Sequence, residues 1–107
     1  LMRDERGVAQ LWVISPNGGQ PKQVTFSETG VESAFNWHPS GNRLGFVMED
    51  RIACCDARTG EVTFLTSDHV NPPSDDAVVF SPDGRFIAWM EETGGFRQLW
   101  LTETAQN

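Results

Sequence analysis

Lysine is almost missing from this chain. Lys22 stands alone among eight basic residues, which face fifteen acidic ones for a formal net charge of −7. Holding nucleic acid or an anionic membrane surface requires a positive face that neutralises phosphates. This balance supplies none, so neither partner is expected. Histidine is scarce as well, with His38 and His69 only. A metal site needs three or more converging ligands, and calcium on Asp75 and Asp76 would lack EF-hand-like spacing. No metal and no cofactor is therefore expected. Cysteine is limited to Cys54 and Cys55, adjacent in sequence. Neighbouring side chains on a strand point to opposite faces, so a disulfide between them would be strained. Without a third cysteine there is no zinc spacing. Both are expected to be small buried hydrophobes. Free thiols favour a reducing compartment, the cytoplasm over the periplasm. No apolar run approaches the ~20 residues of a membrane span. Neither a Gly-x-Ser-x-Gly elbow nor a phosphate-binding glycine loop occurs, and no residue is expected to be catalytic.

What the chain has is an internal repeat. Leu1 to Val13 lies over Trp89 to Leu101 without a gap, with Met, Gly, Gln, Leu and Trp coinciding. Trp37-His38-Pro39-Ser40-Gly41 to Phe46 lies over Phe80-Ser81-Pro82-Asp83-Gly84 to Trp89. A weaker match sets residues 10–25 over 51–66, both ending in an apolar residue and a threonine. A period of ~40–45 residues built from strand-like segments marks a four-stranded propeller blade.

Strand and turn chemistry agree with that period. Leu44 to Met48, Ile52 to Cys55 and Val62 to Leu65 read as strands, broken at Asp50 and turned at Arg58-Thr59-Gly60-Glu61. Runs such as Phe86-Ile87-Ala88-Trp89-Met90 are apolar without alternation, as expected where blades cover both faces of an inner strand. In Ser81-Pro82-Asp83-Gly84, the proline presets φ, the aspartate can accept from the following amide, and the glycine takes positive φ. Asp83 is thus structural. Packing between blades is likewise expected to bury Trp12, Trp37, Trp89 and Trp100. No helical period of 3.6 is present.

The Ser-Pro-Asp-Gly-Arg turn at 81–85, followed by Ile87-Ala88-Trp89 and Gln98-Leu99-Trp100, resembles the repeats of TolB-like (WD40-like) propellers. It also resembles propeller domains of prolyl-oligopeptidase-type peptidases and of oligogalacturonate lyases. As a whole the chain is most similar to the C-terminal part of an uncharacterised enterobacterial propeller family. The resemblance implies an all-β, partial β-propeller of about two and a half four-stranded antiparallel blades. Residues 1–25 would end one blade, 34–66 form a complete one, and 77–107 begin the next. Closed propellers have at least four blades of ~40 residues, roughly 160 residues in all. The chain is expected to be part of a longer propeller, and to self-associate through open strand edges when isolated. The lyases bind a metal through several histidines. Here His38 takes the serine's place in the proline turn, on the side away from His69, which departs from that pattern.

Functional residues concentrate in loops on a rigid scaffold. Residues 26–33, 49–51, 67–77 and 91–97 are expected to share one face. Asp68, His69, Asp75 and Asp76, in the longest of these loops, are the candidate partner-binding residues, with a solvated connection as the alternative. The expected function is a non-enzymatic binding or scaffold module for a protein or peptide. The acidic balance would steer a basic partner. Alternatives are the gate or metal platform of a hydrolase or lyase, or carbohydrate binding by an exposed tryptophan.

Overall fold

The computed structural model describes residues 1–33, 35–66, 73 and 78–104. These residues form strands and turns, with no helix among them. The order is β1 (Met2–Arg3), β2 (Ala9–Gln10), β3 (Trp12–Val13), β4 (Lys22–Gln23), β5 (Asn36–Trp37), β6 (Arg43–Met48), β7 (Arg51–Asp56), β8 (Val62–Phe64), β9 (Val79–Phe80), β10 (Phe86–Thr93) and β11 (Phe96–Glu103). All named pairings are antiparallel.

The centre is a four-stranded meander, β5-β6-β7-β8. Before it lie the pairs β1-β2 and β3-β4, and after it the three-stranded β9-β10-β11. These elements follow the repeat, with one difference. Met2 pairs with Gln10, whereas its repeat counterpart Met90 pairs with Leu99, not Gln98. The turns explain the slip. Residues 4–8 make a wide loop closed by the Asp4 carboxylate, while Gly94 and Gly95, at φ 56° and 85°, make a two-residue hairpin. Hairpin register is set by loop length.

The core is two seams, one on each face of the central sheet. Leu44, Phe46, Met48, Ala53 and Cys55 pack toward Leu11, Val24 and Val31. Val47, Ile52 and Cys54 pack toward Val78, Phe80, Ile87 and Trp89. Alternate residues of β6 and β7 serve opposite seams, as strand geometry requires. This accounts for their unbroken apolar runs and places Cys54 and Cys55, both buried and free, on opposite faces.

The third sheet departs from the expectation of two covered faces. Along β10, Ile87, Trp89 and Glu91 are buried while Phe86, Ala88 and Met90 are only partly so. Its outer face has no sheet against it among the described residues. The tryptophans depart too. Trp89 is buried, but Trp37 is 51% and Trp100 45% exposed. Trp100 lies directly across from Trp89 on edge strand β11 and stacks on it, ring centroids 5.9 Å apart.

Candidate functional site

One end of the sheets gathers the turn at 4–8, the loop at 26–33 and the β6–β7 turn. Buried Gln10 ties the first two together. Its Nε2 donates to the Ser27 carbonyl (2.6 Å) and to Asp4 Oδ2 (3.2 Å). Its Oε1 accepts from Thr25 Oγ1 (2.7 Å) and the Ser27 amide (3.2 Å). Every polar atom of the Gln10 side chain is thus matched, which a wholly buried amide needs. The Ser27 hydroxyl then donates to Glu49 Oε2 (3.2 Å), linking this loop to the central sheet. Gly30, at φ 94°, packs against Val8 and the Ala9 backbone with no room for a Cβ.

The β6–β7 turn carries Glu49 and Asp50 at φ 56° and 58°. This is the type I′ two-residue hairpin, which needs positive φ at both positions and which Asn-Gly or Gly-Gly adopt with least strain. Here neighbours hold the less suited pair. The Asp50 amide donates to Glu32 Oε1 (3.3 Å), and Arg51 pairs with Glu49 (3.1 Å) while lying 3.6 Å over the Phe64 ring.

The described part of this face is acidic. Asp4, Glu5, Glu28, Glu32, Glu49 and Asp50 stand against Arg3, Arg6 and Arg51, with the Arg3 guanidinium held on the Gly7 carbonyl of the first turn. The Val8 amide, assisted by Gln10 and Arg6 and opposed by burial, holds the Asp4 carboxyl below its ordinary range. A cavity of about 590 Å³ opens beside it on the outer flank of the first strands, walled by Arg3, Glu5, Trp12 and Phe26 among others.

Asp68, His69, Asp75 and Asp76 lie outside the described residues. Within their loop Pro73 is described: it is buried and bridges antiparallel to Glu91. Glu91, buried, accepts from Trp100 Nε1 at 2.8 Å. That bridge joins Pro73 to β10. Sequence reasoning missed Gln10, Ser27 and Glu49 as the residues that assemble this face. The coincidence of Gln10 with Gln98 in the repeat was the available signal, but Gln98 is exposed on β11.

Comparison with known proteins agrees with this architecture. No family model matches the chain. It is 62% identical over 104 residues to the uncharacterised protein YidR of Escherichia coli K12, covering 97% of this chain and 24% of that protein. The chain thus spans about a quarter of the length of the curated relative it matches. The crystal structure of TolB from Acinetobacter baumannii superposes with a TM-score of 0.65 at 25% identity, over 88% of this chain and 24% of that one. A structure assigned as TolB from Agrobacterium tumefaciens superposes at 0.67 and 23% identity, over 96% of this chain and 39% of that one. The chain has the fold of a TolB-like β-propeller, of which it forms part.

Proposed function

We propose that this chain contributes the acidic loop face of a non-enzymatic protein-binding propeller. A fold of this kind supports a protein-interaction module at the coarse level, while fold alone does not name an activity. The observation that carries the finer proposal is the convergence of turns from the first and central sheets into one face with six carboxylates against three guanidinium groups. Asp68, Asp75 and Asp76 add to that charge in sequence. A surface of one sign steers an oppositely charged partner, and its effect fades with salt. The partner is a basic protein or peptide segment. The test is binding of a panel of Lys/Arg-rich peptides to the full chain, followed by fluorescence anisotropy from about 50 to about 200 mM salt. Affinity is expected to fall with salt and with Asp75→Asn and Asp76→Asn. Binding indifferent to salt and to both substitutions, or absent for every peptide, overturns the proposal.

The half-exposed Trp37 and Trp100 favour a second reading, carbohydrate stacked on an indole. It requires saturable quenching of tryptophan fluorescence by oligosaccharides.

A further inference from the structure

The opposite end of the sheets carries a different charge pattern. There the turns at 38–42, 56–60 and 81–85 meet at the seam between the central and third sheets, around a cleft of about 390 Å³. Arg43, Arg58, Arg85 and His38 line it, in a chain of net charge −7. Asp56 and Asp83 also reach its wall; Asp56 Oδ2 pairs with the Arg58 guanidinium at 3.4 Å, and both carboxylates accept from amides of their own turns. Asp56 Oδ1 accepts from the amides of Arg58 (2.8 Å) and Thr59 (3.2 Å). Asp83 Oδ1 accepts from the Arg85 amide (3.0 Å) and Ser81 Oγ (2.7 Å).

His38 organises the cleft's inner wall. In the repeat it replaces Ser81, whose hydroxyl accepts from the Phe86 amide inside its own turn. The imidazole closes its own turn by a different bond, Nδ1 accepting from the Ser40 amide at 3.0 Å. An accepting Nδ1 assigns the ring proton to Nε2, which lies 3.0 Å from the Gly84 carbonyl across the seam. Gly84 suits this approach, because a Cβ there would run into the imidazole. The Arg43 guanidinium lies 2.9 Å from the same Nε2. Arg43 and His38 are thus held together at the inner wall of the cleft. Arg58, whose side chain is 71% exposed, and the exposed Arg85 stand at the rim. Both walls belong to described sheets of this chain. The larger flank cavity, by contrast, is walled by the first strands alone.

We propose that this seam cleft binds a compact oxyanion, a phosphate or a cluster of carboxylates, gripped by Arg58 and Arg85 with Arg43 and His38 behind. Guanidinium forks match the planar or tetrahedral oxygens of such groups and hold them with charge-assisted hydrogen bonds. A cleft of this volume is within the range of small-ligand sites. The site is separate from the acidic loop face and does not depend on it.

The test is titration of the full chain with inorganic phosphate and, separately, with citrate at constant ionic strength, read by calorimetry and thermal shift. Saturable binding is expected, weakened about tenfold in Arg58→Ala and again in Arg85→Ala, since each removes one charged hydrogen-bonding partner. Arg58 pairs with Asp56 and Arg85 lies 5.5 Å over the Phe86 ring, both at the exposed rim where such contacts contribute little, so melting without ligand should shift only slightly. Phosphate alone binding assigns a phosphoryl group, citrate alone a carboxylate cluster, and both the shared oxyanion chemistry. No saturable effect beyond that of chloride, or equal binding by both variants, overturns the proposal.

Discussion

Leu11 and Leu99 occupy the same position of the repeat, yet Leu11 is 1% exposed and Leu99 68% exposed. Leu11 has β4 beside it, its carbonyl accepting from the Val24 amide at 2.9 Å, and packs in the first seam with Phe46. Leu99 sits on β11, the edge of the third sheet, on the face turned away from the central sheet. The same residue is core or surface according to whether a strand and a sheet follow it.

An exposed, apolar edge strand is a template for pairing with another chain. The isolated 107 residues are therefore expected to self-associate through β11, where Leu99 and Leu101 are 68% and 65% exposed. Light scattering on a sizing column should give a mass above the 11.9 kDa monomer. Leu99→Glu with Leu101→Glu should return it toward the monomer. A monodisperse monomer before substitution would count against this assignment of β11.

The two cysteines should be inert in the folded state. Burial, reinforced by Cys54 and Asp56, pushes the Cys55 thiol up to about 11. Burial also raises Cys54, against the neighbouring Arg43 charge. Thiolate is the reactive form. A chromogenic disulfide reagent at about pH 8 is expected to label neither cysteine in the native protein and both in denaturant, since unfolded cysteine titrates near 8.5. Rapid labelling of the native protein would show that the seams do not seal these side chains.

Acid should loosen the turns before it reaches the seams. The Arg58 amide chiefly lowers Asp56, and the Arg85 amide chiefly lowers Asp83. A carboxyl depressed in the folded state adds stability above its unfolded value of about 3.9. That stability is lost as pH falls through the folded value. Asp56→Asn and Asp83→Asn should therefore flatten the decline in urea midpoint between about pH 5 and about pH 2. Unchanged acid limbs in both variants would mean these carboxylates do not stabilise their turns.

Much of the fold was legible because its signals are local. The Ser81-Pro82-Asp83-Gly84 turn forms as its residues dictate, with Gly84 at φ 75° and Asp83 accepting from the Arg85 amide. The opposite facing of Cys54 and Cys55 follows from strand geometry alone. Trp37 and Trp100 were misjudged because burial depends on what lies across a seam, which residue type does not encode. Neither was the face-building role of Gln10 visible, since Gln98 has the same sequence context and a different surrounding. His38 stood out in sequence only as a departure from serine. Its reach to the Gly84 carbonyl depends on two turns far apart in the chain meeting at one seam.

The central claim is that the middle sheet is covered on both faces, as a blade within a propeller must be. Phe46 and Ile52, each 0% exposed, face opposite seams. Urea denaturation of the full chain carrying Phe46→Ala or Ile52→Ala tests this directly. Both substitutions should cost about 2–5 kcal/mol, the range for emptied core sites. The milder Ile52→Val should cost about 0.5–1.5 kcal/mol if the alanine variant does not fold. A near-neutral result at either site, within about 0.5 kcal/mol, would mean one face lies open and would contradict the stacked-blade account.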